Sequence, residues 1–202
     1  RGAGNLLGAE QSGHMESVGY DLYCKMLNQA VKFTKGELVE EETYETMVDM
    51  DMDAFIPSTY IKNEIQKLDI YKRIAEIETE DELIDMQEEL QDRFGDMPRA
   101  VNNLLNIALI KSMCHSVYIT SLLQKGNEVT LTMFPKAKLA VEMFPELLSK
   151  YGKSLKLMPQ ASPYFKYQLP NNPKKKLDNI TIFQCLKDLL EDFRKLLIKE
   201  RS

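Results

Sequence analysis

The stretch DAFIPSTYIKNEIQKLDIYKRIAEIETEDEL, Asp53–Leu83, decides the fold class together with EELQDRFGDMPRAVNNLLNIALIK, Glu88–Lys111. Ile61, Ile65, Leu68, Tyr71, Ile74 and Ile77 recur at steps of three and four, the period of a helix with one buried side. Thr59, just past Pro57, is where that helix should start. Thr79 and Glu82 make the spacing of a capping box, in which hydroxyl and carboxylate each satisfy a backbone N–H at a helix start. The second helix turns Leu83, Met86, Leu90 and Phe94 inward and closes at Gly95. Asp96 and Pro98 open a third, with Val101, Leu104, Leu105, Ala108 and Met113 inward. Turns this short predict a small helical bundle.

Outward from that bundle the period changes. TMVDMDMDAFIP, residues 46–57, alternates Met47, Asp49, Asp51 and Asp53 against Val48, Met50, Met52 and Ala54, a half-buried strand stopped by Pro57. After Cys114, VYITSLLQ and EVTLTMF flank Lys125-Gly126-Asn127, a hairpin signal with Gly in the turn. A helix is expected from Ala137 to Tyr151, ending at Gly152. SLKLM and PYFKYQL are two further short strands, and NNPKKK is a loop. A last helix is expected from Thr181 to Lys199, with Ile182, Leu186, Leu189, Leu190, Phe193, Leu196 and Leu197 on its apolar side. The fold class is α+β: a small helical bundle, then short antiparallel strands and hairpins covered by helices.

Composition removes several kinds of function. The 202 residues carry a net charge of −5. Duplex DNA is held mainly by neutralising phosphates, so this balance opposes a free-standing DNA-binding domain. No basic residue lies between Lys35 and Lys62, where Glu37, Glu40, Glu41, Glu42, Glu45, Asp49, Asp51 and Asp53 accumulate. That run suits a basic protein partner or stays solvated. Cys24, Cys114 and Cys185 lie far apart and form no CxxC pair, which speaks against zinc or a disulfide framework. His14 and His115 sit in no ligand motif, and His115 ends a helix, where a cation satisfies the last carbonyls. No apolar run reaches the roughly 20 residues of a membrane helix, and no membrane role is expected. The cytoplasm is the expected compartment. No nucleophile–base pair stands out, so no catalytic residue is assigned.

The chain opens RGAGNLLGAEQSGH, Arg1–His14, a glycine-punctuated loop running into a helix that Ser12 can cap and Gly36 can end. It lacks both the P-loop lysine and the dinucleotide fingerprint spacing. Opening on Arg1 without an initiator Met is expected of a piece of a longer protein. The run resembles the coupling motif, RGxGxxLGxxQSG, that follows the second motor lobe in duplex-DNA translocases of the RecG and transcription-repair coupling factor families. Arg1 and Gln11 hold the Arg and Gln positions of that pattern, and Gly2, Gly4, Gly8, Ser12 and Gly13 match as well. DAFIP, YKRIA and DRFG-x-x-P resemble the C-terminal domain of the coupling factor family, with similarity sharp to about Lys111.

The resemblance implies residues 1–36 as the end of the translocation motif, 37–45 as an acidic linker, and 46–202 as an autoinhibitory C-terminal domain. In that family the coupling motif transmits the nucleotide state of the motor lobes into movement, with Arg1, Gln11, Gly2, Gly4, Gly8 and Gly13 as its residues here. The leading half of the motif's hairpin is missing from this chain. ATP and Mg belong to the parent's motor lobes, and no cofactor is expected within this chain. The resemblance further implies that the C-terminal domain packs on a UvrB-like module and hides the surface that recruits UvrA until the enzyme engages stalled RNA polymerase on duplex DNA. Glu82, Asp85, Glu89 and Asp92 form a carboxylate stripe on the outer side of the capped helix, the candidate intramolecular docking face. The alternative is an independent nucleic-acid-binding module using Lys174, Lys175 and Lys176 with Lys187, Arg194, Lys195 and Lys199 of the last helix. Lacking the P-loop lysine and a metal-holding acid, the isolated chain should not turn over ATP. A phosphate-release assay with duplex DNA present checks this, and DNA-stimulated hydrolysis by the pure chain would refute it.

Overall fold

The computed structural model describes residues 43–199, which form two compact units. One holds Met52–Leu109 and the other Tyr44–Asp51 with the chain from Ile110 on. The predicted coupling loop, its helix and most of the acidic linker lie outside the described residues.

The first unit is helical. Helix α1 (Glu64–Ala75) begins five residues later than the apolar period suggests, because Asn63 caps it, accepting from the Ile65 and Gln66 N–H groups at 3.0 Å. The residues before it form a turn on the Pro57 carbonyl, which accepts from Tyr60 and Ile61. Ile61 is therefore buried by the turn, while Ile65 and Leu68 face outward at 79% and 38% exposure. The inward stripe of α1 is Lys67, Ile70, Tyr71 and Ile74. Helix α2 (Glu80–Phe94) starts on the expected capping box and ends at Gly95, whose φ of +85° favours glycine. Helix α3 (Arg99–Ser116) starts after Pro98, whose carbonyl accepts from Val101 and Asn102. Ile56, Ile70, Ile74, Leu90, Val101 and Leu105 are wholly buried and form this unit's core.

The second unit is a five-stranded sheet with helices. In chain order its strands are β1 (Met47–Met50), β2 (Ile119–Lys125), β3 (Glu128–Met133), β4 (Leu155–Met158) and β5 (Tyr164–Gln168). Their spatial order is β1-β2-β3-β5-β4. Three pairings are antiparallel as expected, but β1 runs parallel to β2, so the sheet is mixed. The long helical connection between those two strands permits that crossover, which a tight turn could not. Lys125 pairs with Glu128, leaving Gly126 and Asn127 as a two-residue turn with Gly126 at φ +57°.

Period two then divides the sheet into faces. Register places Val48, Leu122, Leu131, Phe165 and Leu157 in one row, and Met50, Gln124, Val129, Tyr167 and Leu155 in the next. Helices α4 (Phe144–Tyr151) and α5 (Asn179–Arg194) cover this inner face, where Phe144 and Phe193 meet the Phe165 ring edge-on at 5.7 and 5.0 Å. Both are shorter than expected. Pro145 is tolerated only in a first helical turn, so α4 follows a single tight turn at Val141–Met143. Past Arg194 the backbone leaves the helix to bond the chain near Leu139, with the Ala140 N–H donating to the Leu196 carbonyl at 2.8 Å. Phe165 is fully buried between two aromatic partners. Phe165→Ala should cost about 3–5 kcal/mol, read from urea denaturation.

Candidate docking face

Helix α2 carries all four carboxylates of the predicted stripe, and their surroundings divide them into two kinds. Leu83, Met86 and Leu90 are buried, which fixes the side of the helix left to solvent. Glu82 is engaged at the N-terminus, accepting from the Glu78 N–H at 2.7 Å and the Thr79 N–H at 3.3 Å. Glu89 is gripped by the Arg73 guanidinium of α1 in a two-pronged bond, one arm at 2.7 Å, and by Arg93 at 3.1 Å. The Arg73 fork, opposed by partial loss of water and aided by Arg93, holds the Glu89 carboxyl at about 2 against an ordinary 4.5. Asp85 and Asp92 are exposed and have no hydrogen-bond or ion-pair partner among the described residues.

The sequence stripe is thus two anchors and two free acceptors. Glu88 adds a third free carboxylate, and Ile84, 42% exposed, adds an apolar patch to the same helix. Period reasoning missed both: Glu88, three residues after Asp85 and four before Asp92, fits the spacing as well as its neighbour Glu89, and Ile84 is neither inward nor charged. It also missed Arg73 as the partner of Glu89, because a contact across 16 residues leaves no local signal.

The helix is held at three further points. Tyr60 Oη donates to the carbonyls of Leu90 and Gly95, both at 3.0 Å, and the Tyr60 and Phe94 rings meet at 5.8 Å. Loss of water, and after it the charge of Asp96, raises the Tyr60 pKa. Gln87 Nε2 donates to Asn102 Oδ1 of α3 at 2.8 Å. Asp85 and Asp92 are therefore displayed on a rigid element, the condition for directional recognition.

The second unit holds a separate charge cluster. Asp192, 8% exposed, accepts from Lys150 Nζ at 2.8 Å, from Tyr151 Oη and from Lys195 Nζ at 3.2 Å. Burial pushes its carboxyl up, and those three bonds together outweigh that effect and hold it below its ordinary value. The cluster ties α4 to α5 beside an open hollow of about 450 Å³ that Tyr167 and Cys185 also line. Loss of water and the bond to Asp192 both raise the Tyr151 pKa, so neither group of the pair is poised as a base near neutral pH. Two cations of the alternative nucleic-acid surface are already matched, Lys195 by Asp192 and Arg194 by Glu191 at 3.7 Å. Arg1, Gly2, Gly4, Gly8, Gln11 and Gly13 lie outside the described residues. Among those described, no group of three or more His, Cys, Asp or Glu is placed to hold a metal ion, and no helix is long and apolar enough to cross a membrane.

The class this architecture defines is an α+β domain of the coupling-factor C-terminal type. A crystal structure of the C-terminal domain of transcription-repair coupling factor superposes with a TM-score of 0.64 at 24% identity, covering 76% of this chain and 94% of that one. Residues 50–144 match the family model described as the TRCF domain. A Bacillus subtilis transcription-repair-coupling factor is 39% identical over 160 residues, 78% of this chain and 14% of that protein. One from Staphylococcus aureus (strain USA300) is 44% identical over 138 residues, 68% of this chain and 12% of that protein. The chain belongs to the transcription-repair coupling factor family and corresponds to its C-terminal part.

The Glu89 bridge carries a pH signature. A carboxyl whose folded pKa is depressed contributes stability above its unfolded value and loses that contribution as pH falls through the folded one. The stability advantage of the wild type over Glu89→Gln should therefore be full above about pH 4.5 and shrink towards pH 2. Paired urea titrations across that window check it. A difference independent of pH would show that the bridge contributes nothing in solution.

Proposed function

We propose that the chain is the regulatory C-terminal part of an ATP-driven duplex-DNA translocase of transcription-coupled repair, and that α2 is its docking face. The observation that carries this reading is the pair of carboxylates, Asp85 and Asp92, without a partner among the described residues, on a helix clamped through Glu82 and Glu89. A UvrB-like surface that presents arginines would find there the planar acceptors that guanidinium groups bind in two-pronged fashion. Docking would mask the UvrA-binding surface, and engagement of stalled RNA polymerase would release it. The cytoplasm is the compartment this role requires. The chain spans only 12–14% of the B. subtilis and S. aureus relatives, so the parent's activity and partners are part of the proposal.

The domain division at 1–36, 37–45 and 46–202 and the coupling role of Arg1, Gln11 and their glycines are proposed on the sequence motif alone. The docking claim is tested in the full-length parent protein. Asp85→Ala with Asp92→Ala removes the free acceptors and leaves both anchors in place. Glu89→Ala would instead strand Arg73 and mix folding with docking. An autoinhibitory contact has to release on demand, so a coupling of about 1–3 kcal/mol suffices, equivalent to a change of about 5–150-fold. The double variant should retain its thermal midpoint and bind UvrA more tightly within that range. Unchanged UvrA affinity in a normally folded double variant would place the docking face elsewhere.

A further inference from the structure

The net charge of −5 conceals a strong separation between the two units. The unit formed by Met52–Leu109 has six Lys and Arg against thirteen Asp and Glu, a net of −7. The sheet unit has sixteen against eleven, a net of +5. Within it, residues 147–177 hold seven lysines and no carboxylate. That run builds β4, β5 and the loop after them, one edge of the sheet.

Register then places part of this charge on the outer face, opposite the apolar side that α4 and α5 cover. One outer row reads Asp49, Leu123, Thr130, Lys166, Lys156 across the five strands. Lys166 and Lys156 are direct cross-strand partners, both exposed and both without an ion-pair partner among the described residues. Like charges directly opposite one another destabilise a sheet. Lysine on an edge strand deters pairing with other chains, which accounts for Lys156 on β4 but not for Lys166 one strand further in. The next row supplies Ser121, Thr132 and Tyr164, half-buried hydroxyls on the same face.

We infer that the outer face of β3, β5 and β4 binds the phosphate backbone of duplex DNA, with Lys156 and Lys166 as its centre. Paired ammonium groups beside threonine, serine and tyrosine hydroxyls are the donor set that engages phosphate and sugar oxygens without reading bases. An acidic protein segment is the competing occupant. Hydroxyl donors alongside the lysines favour phosphate, with two charged non-bridging oxygens at each step of a regular backbone. This surface is distinct from the one formed by Lys187 and Arg194 of α5, which packs on the inner face, with Lys195 and Lys199 just past that helix. It is also independent of the α2 docking reading, so either can fail without the other.

The test uses the 202-residue chain and a short labelled duplex of mixed sequence, titrated by fluorescence anisotropy at several salt concentrations. Wild type should bind at low salt with an affinity that falls steeply as salt rises. Lys156→Glu with Lys166→Glu should weaken binding about tenfold or more, and Lys156→Gln with Lys166→Gln should lower the log–log salt slope by about 1.8, two phosphate contacts. Lys62→Glu with Lys72→Glu makes the same change in net charge in the acidic unit and should leave both quantities near wild type. Circular dichroism confirms that each variant is folded. Three results would each overturn the inference: no duplex binding at low salt, equal losses in test and control variants, or a poly-glutamate peptide that binds as tightly as DNA and depends on the same two lysines.

Discussion

The two-pronged bond from Arg73 to Glu89 is the constraint on which the candidate site depends. It joins α1 to α2 across a connection of only four residues and, with Arg93, occupies the central carboxylate of the outer stripe. The buried Leu83, Met86 and Leu90 fix one side of α2, and the bridge fixes its rotation on the other. Rotation about the helix axis decides which carboxylates are internal fasteners and which are available to a partner. With Glu82 committed to the capping box and Glu89 to two guanidinium groups, Asp85 and Asp92 remain without partners among the described residues. A flexible acidic helix would have to lose side-chain freedom on contact. Side chains displayed from a fixed helix avoid part of that cost.

In the sheet unit the equivalent fastener is Asp192. Its burial would be unfavourable alone, and three donors from α4 and the end of α5 offset it. The same three contacts explain why this cluster, despite a hollow beside it, reads as a structural tie. Its carboxylate is saturated by internal donors, and the adjacent Tyr167 is pushed up to about 12 by burial and its neighbours Cys185 and Asp188. Groups held this far from neutrality have no proton to exchange near pH 7.

Much of this was legible in the sequence, where the signal was local. The capping box at Thr79 and Glu82, the Gly95 stop and the Gly126-Asn127 turn each depend on neighbours within four residues, and all three stand in the structure. What escaped was decided at longer range. Asn63 reset the phase of α1, so Ile65 and Leu68 face outward although their spacing reads as inward. Leu139 and Leu197 pair across the unit and shorten the last helix, which propensity alone would have continued. The parallel placement of β1 beside β2 has no sequence signature, because a strand's period states which residues share a face but not which strand lies next to it. The acidic stripe was visible as a spacing, and its division into anchors and free acceptors was not.

Charge shows the same limit in a form that bears on function. Averaged over 202 residues, −5 argues against contact with nucleic acid, and that argument holds only if the charge is mixed. It is not mixed. A screening length of about 8–10 Å at ordinary salt means that a surface is felt by what lies within a few side chains of it, not by the chain's total. An acidic helix face and a basic sheet face can therefore serve different partners within one small chain. The acidic unit's excess offers acceptors to arginines, while on the sheet's outer face Lys156 and Lys166 have no carboxylate partner among the described residues and offer donors to a polyanion. A chain of mild overall charge that separates its signs in this way is suited to meeting two different partners.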